Sequence, residues 1–191
     1  MRKALFTLLL IACSPAILAQ DAEGPRYTAD GSLLLPAHYR EWMFVSAGLG
    51  MTYGPQAAAN TPEHPAFENV FVTRPAYQTF LKTGKWPAKT MFVLEIRSSD
   101  SKGSINKGGH YQTAIAAVEA EVKEGDKWTF YGFGRAGTEA KPLPRSESCY
   151  TCHAQNSAAD NTFVQFYPTL LPVAKEKGTL SSTFKGTDPG K

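Results

Sequence analysis

Cysteine is scarce in this chain, with three in 191 residues. So few thiols exclude the disulfide-stapled scaffold of a small secreted domain. Long apolar runs are scarce too. Beyond the first twenty residues none approaches the roughly 18 apolar residues of a membrane span, so no membrane span is expected. An excess of one charge is also lacking, since 20 Lys+Arg stand against 17 Asp+Glu. With no basic helix and no interleaving of aromatic and basic residues, nucleic acid is excluded as a partner. No internal repeat is visible, which excludes solenoids and propellers.

What is present begins with a leader. Met1-Arg2-Lys3 is basic, residues 4–12 are apolar, and small residues follow up to Ala19. That layout reads as a signal peptide over residues 1–19, cleaved after Ala19, and it predicts export to the bacterial periplasm. Leu10-Ile11-Ala12-Cys13 offers a lesser alternative, a lipid anchor on Cys13. Cleavage removes Arg2 and Lys3, so Lys+Arg falls from 20 to 18 against 17 Asp+Glu, and the net charge falls from +3 to +1. It also removes Cys13. The mature thiols are then Cys149 and Cys152, three residues apart.

Length and a hydrophobic content of 42% suit one packed domain behind the leader. Residues 20–32 read as a flexible segment, 33–176 as the domain and 177–191 as a flexible tail. Pro36 opens an expected helix over residues 36–45. Residues 48–54 form a glycine-punctuated loop carrying Met51. Residues 67–72 read as a strand, 75–83 as a helix stopped by Gly84, and 90–96 as the clearest strand. Residues 111–123 are alanine-rich yet alternate, and the alternation favours strand. Residues 127–133 are a further strand, 148–156 a short helix, and 162–175 a terminal helix. Strands in the middle and helices at the ends predict an α+β fold, an antiparallel β-sheet packed with a few helices.

Cys149-Tyr150-Thr151-Cys152-His153 has the C-x-x-C-H form of a c-type haem attachment site. One helical turn separates the two sulfurs, which places both along one porphyrin edge for thioether bonds. His153 is then carried under the iron as proximal ligand. A single motif predicts one covalently bound haem c. Competing readings fare worse. A zinc site needs two further ligands, but His38, His64 and His110 are scattered. A redox dithiol normally follows a strand, whereas a polar loop precedes this one. A disulfide across two residues would be strained and close only a tiny loop.

The whole layout resembles the cytochrome P-460 family, which includes the cytochromes c′-beta. The resemblance runs through Leu35-Pro36 and Tyr39-Arg40-Glu41-Trp42, then Phe67-Glu68-Asn69-Val70-Phe71-Val72. It continues through Thr83-Gly84-Lys85-Trp86-Pro87 into Met91-Phe92-Val93-Leu94-Glu95. After the haem motif come Ala158-Ala159-Asp160 and Phe163-Val164-Gln165-Phe166-Tyr167-Pro168. It implies haem held against the sheet by a C-terminal attachment helix, and a homodimer. It also implies a distal haem face built from sheet residues. Members that oxidise hydroxylamine carry a lysine cross-linked to the porphyrin; the aligned position here is Leu94, which cannot form that bond. The c′-beta members leave the sixth iron position open on an apolar face, where nitric oxide binds.

The resemblance therefore implies an uncross-linked periplasmic haem protein that carries electrons, binds a small gas ligand such as nitric oxide, or does both, with a redox partner protein. The alternative is an oxidoreductase acting on hydroxylamine or a related nitrogen species. Phe92 and Leu94 share one side of their strand, and Phe71 is a further candidate for the same apolar wall. Met51 is a candidate sixth ligand, whose thioether would favour electron transfer over gas binding. Glu119 and Glu121 are candidate pocket acids, though surface exposure is the favoured reading of both. Arg135 and Arg145 are candidate partners for the haem propionates.

Overall fold

Period-two alternation builds the sheet. The computed structural model describes residues 23–52, 63–184 and 186; the expected leader with Cys13, and residues 185 and 187–191 of the expected tail, lie outside them. Seven strands appear among the described residues. They are β1 (Leu33–Leu34), β2 (Met43–Leu49), β3 (Phe67–Val72), β4 (Met91–Asp100), β5 (Tyr111–Glu124), β6 (Lys127–Gly134) and β7 (Glu139–Ala140). Strands β2 to β6 pair in chain order, antiparallel throughout. The helices are α1 (Arg74–Thr83), α2 (Ser148–Asn156) and α3 (Leu171–Glu176). The fold is α+β, as the sequence predicts.

The alanine-rich segment is a strand because its two faces differ. Val118, Ala120 and Val122 are buried in a core on the back of the sheet, with Met91 and Val93 from β4. Glu119, Glu121 and Lys123 turn to the front. There Phe92 and Trp128 meet Phe80 of α1 and Leu170, next to α3. Alternation thus sorts β5 between two layers, one apolar and one charged.

On the back, a 3-10 turn at Tyr39–Glu41 lies against β4 and is pinned by one buried carboxylate. Glu95 is 2% exposed. It accepts from the Tyr39 hydroxyl, from Arg40 Nε at 2.7 Å and from Arg97 Nε at 2.5 Å. Burial opposes its ionisation. The hydrogen bonds from Arg97, Tyr39 and Arg40 outweigh that and hold the carboxyl below its usual range. Burial and the same carboxylate push the Tyr39 phenol up.

Three expectations change. Residues 36–45 are not a helix: after the 3-10 turn the chain enters β2 directly. Met43 and Phe44 pair with Val72 and Phe71 of β3, and this ladder overrides the local helix start at Pro36. Residues 162–175 are not one helix either. A 3-10 turn at Val164–Phe166 precedes Pro168, which cannot occupy a helix interior, and α3 starts at Leu171. The chain after α3 also stays packed through residue 184. Ser181 donates its N–H to Ala158 O at 2.7 Å, and Leu180 and Phe184 lie against the front core.

Gly84 ends α1 in the left-handed region, φ 69°, with its N–H on Phe80 O at 2.7 Å. A Cβ there would lie 2.8 Å from Lys177 Cβ and 2.6 Å from Thr179 Oγ1. Gly84→Ala is expected to destabilise the protein by more than about 1 kcal/mol. Urea unfolding would reveal it as a lower midpoint at unchanged slope.

Candidate haem site

Residues three and four apart on a helix share a face. Helix α2 therefore turns Cys149, Cys152 and His153 to one side, and all three line a cavity of about 450 Å³ whose other wall is the sheet. Both cysteines are half-buried free thiols. Burial pushes the Cys149 thiol up.

His153 is held in one tautomer. Its Nδ1 lies 2.7 Å from the Asn161 carbonyl, which can only accept, so Nδ1 carries the proton and donates. Nε2 keeps its lone pair. The ring packs between Phe130 and Phe163, with centroids 4.6 and 4.3 Å away. Burial pushes the imidazole pKa down, and the bond to Asn161 opposes this. A neutral imidazole with a lone pair at Nε2 is the metal-binding form.

The carbonyl that fixes His153 is itself fixed. Asp160 and Asn161 both have left-handed backbone, φ 48° and 57°. Lys123 Nζ donates to Asp160 Oδ2 at 2.6 Å and to Trp86 O at 2.9 Å. On the other side of Asn161, Trp86 Nε1 donates to Thr162 Oγ1 at 2.8 Å. The loop is thus anchored immediately before and after the acceptor.

Cross-strand register arranges the sheet wall in rows. Val72, Phe92, Glu121 and Phe130 are aligned in one row, and Val70, Leu94, Glu119 and Gly132 in the next. The first is bulky and reaches His153 through Phe130 and Glu121. The second is slighter, ends in a residue with no side chain, and lines the hollow throughout its length.

Phe92 and Leu94 therefore both line the cavity, in the company of Cys149, Cys152 and His153. Phe71 does not. It pairs with Val93, so it points to the back and packs edge-on against Tyr39 and Phe44. Its neighbour Val70, opposite Leu94, takes the place expected for it. Met51 lines the cavity too. A Cβ on Gly48 would lie 2.5 Å from its sulfur, so the thioether rests against that glycine's backbone.

Glu119 is exposed, as expected, at the rim of the cavity that it lines, whereas Glu121 is buried in it, against expectation. Glu121 is 8% exposed, and Oε2 lies 3.4 Å from His153 Nδ1 without a hydrogen-bond partner of its own. Burial drives its carboxyl well above the usual range, and Asp160 nearby adds to this. Burial and then Glu68 push the Glu119 carboxyl up as well. Glu68 and Glu147, which sequence reasoning missed, also line the cavity. Strand pairing places Glu121: Phe92 faces inward, so its cross-strand partner does as well.

The two arginines lie elsewhere. Arg145 donates to Trp128 O at 2.7 Å and sits over the Tyr150 ring, beside a separate groove that Tyr27 also lines. Arg135 is exposed and does not line the cavity. Nor, among the described residues, does any lysine.

These residues fit a covalently attached haem. Two free thiols one helical turn apart face the same hollow as a neutral imidazole with Nε2 available. No helix among the described residues is long and apolar enough to cross a membrane. The family model of Cytochrome P460 matches residues 36–164, most of the chain. No curated protein matches it.

Proposed function

Because this chain belongs to the cytochrome P460 family and so binds haem, we propose that it is an exported monohaem c-type cytochrome without a lysine cross-link. In this reading it accepts electrons and captures a small uncharged gas such as nitric oxide. Cys149 and Cys152 hold the haem by thioethers, and His153 Nε2 ligates the iron. When bound, the haem supplies one-electron iron chemistry and a coordination position for a diatomic ligand.

The observation that carries this reading is the row Val70, Leu94 and Gly132 in the cavity that His153 enters. Apart from Glu119, which lies between Leu94 and Gly132, that row offers a small ligand an apolar surface, and no lysine stands there to bond the porphyrin. The basic and apolar leader supports export, which also suits haem attachment outside the cytoplasm. A homodimer belongs to the same reading. It is supported by edge strand β2, which leaves Phe44 and Leu49 half exposed, at 54% and 50%.

A second reading is an oxidoreductase acting on hydroxylamine or a related nitrogen species. Glu119 favours it, because a carboxyl with a raised pKa in the cavity is suited to moving protons.

Spectroscopy of the reduced protein separates these readings. The expected result is an ordinary c-type Soret band and rapid spectral change on adding nitric oxide. A strongly red-shifted ferrous Soret band would signal a cross-link and overturn the proposal. Slow change that becomes rapid in Met51→Ala would make Met51 the sixth ligand and the protein an electron carrier. Turnover of hydroxylamine, lost in Glu119→Gln, would establish the oxidoreductase.

A further inference from the structure

Glu121 is the buried acid that the proposed function leaves without a task. It stands on the central row of the sheet, between Phe92 and Phe130. One carboxyl oxygen has no hydrogen-bond partner and lies 3.4 Å from His153 Nδ1. A buried polar atom left unpartnered is destabilising, more so if charged. Such an atom calls for an explanation.

The contact is on the side of the imidazole away from Nε2. Asn161 O already accepts from Nδ1 at 2.7 Å, so Glu121 stands as a second acceptor beside the first. Lys123, two residues along β5 on the same face, is committed to Asp160 and Trp86 and anchors the loop carrying Asn161. One strand therefore presents both the acid and the anchor of the competing carbonyl.

We propose that Glu121 is a positioning residue for the proximal ligand: its Oε2 shares the Nδ1 proton of His153 with the Asn161 carbonyl and makes the imidazole a stronger donor to iron. This rests on the haem reading above. The physical chemistry is general. Iron bound at Nε2 gives the imidazole N–H the partial positive charge that the orphaned oxygen lacks. An acceptor oxygen on the far nitrogen of a ligating histidine raises its basicity. Stronger donation favours ferric over ferrous iron, so Glu121 lowers the reduction potential.

The test uses purified holoprotein, with thioether-bound haem first verified by the alkaline pyridine spectrum. Failure there in the wild type would sink the haem reading itself, whereas a failure confined to the potentials would sink only the role of Glu121. Midpoint potentials are then measured for wild type, Glu121→Gln and Glu121→Leu. The potential should rise in Glu121→Leu, which removes the acceptor oxygen, and less in Glu121→Gln, which keeps one. A wild-type potential in Glu121→Leu would overturn the proposal. Should neither variant retain haem, the wild type supplies the second measurement. Redox-difference infrared spectra of protein labelled with 13C-glutamate should show a perturbed carboxyl band, and its absence would equally overturn the assignment.

Discussion

Replacing Cys149 and Cys152 together by serine is expected to abolish covalent haem capture. In the proposed site each thiol forms one thioether, so either single variant keeps one bond and the double variant keeps none. Serine fits the helical geometry of α2 but supplies no sulfur. Neither cysteine is a fully buried packing element, since both are half-buried and no residue of α2 is fully buried. The chain should still fold around the sheet. Denaturing mass spectrometry checks this directly: the wild type should carry the mass of one haem on the polypeptide, the double variant none. Haem remaining bound to the denatured double variant would refute the attachment site. A further contrast is expected with His153→Gly, which keeps the thioethers but loses the proximal ligand. Its polypeptide should retain haem mass while its absorption spectrum changes.

The largest effect on stability is expected at Glu95→Ala, on the opposite face of the sheet. One carboxylate there satisfies Tyr39, Arg40 and Arg97 together. Its removal leaves two guanidinium groups and a phenol without their acceptor. Breaking a buried pair typically costs about 3–5 kcal/mol. Arg40 is half exposed and water replaces part of its loss, so a cost of about 3 kcal/mol is expected. That is a large share of the roughly 5–15 kcal/mol that keeps a domain folded. The pH dependence has a definite sign. The folded-state pKa of Glu95 is depressed, so its contribution is complete above the unfolded carboxylate value of about 4.3. It is lost as pH falls through the lower folded value. Urea midpoints measured at neutral and acidic pH should therefore converge for wild type and variant as the solution is acidified. A gap that stays constant with pH would show that packing rather than charge holds the turn.

The haem motif and the helix stop at Gly84 are written locally, and so is the break at Pro168, which the expected helix over 162–175 overran. C-x-x-C-H is a fixed spacing, Gly84 follows from its left-handed backbone, and Pro168 from its ring. The alternation of β4 correctly put Phe92 and Leu94 on one side. What sequence could not supply was how one strand lies against the next. Phe71 and Val70 are adjacent residues of β3, and only the pairing of Val70 with Leu94 decides which of them turns to the cavity. Glu121 is a stronger case. As a charged residue on an alternating strand it reads as exposed. Its burial is produced by His153 and the 160–162 loop, which arrive some thirty residues later. The segment 36–45 failed for a related reason, because its apolar run was claimed by β3 rather than by its own helical turn.

Chain order adds a matter of timing. All five strands of the sheet are complete by Gly134, before the first haem cysteine at Cys149. Neighbours in the sheet are neighbours in sequence, so each hairpin needs only what has already emerged. The C-terminal residues that cover the front, Val164, Leu170 and Ala174 among them, come last of all. A chain emerging from its N-terminus therefore passes through a stage in which one wall of the cavity stands finished and bare. The cysteines are then delivered while the final cover has yet to follow. The residues that close the haem-facing side thus follow both cysteines in the chain.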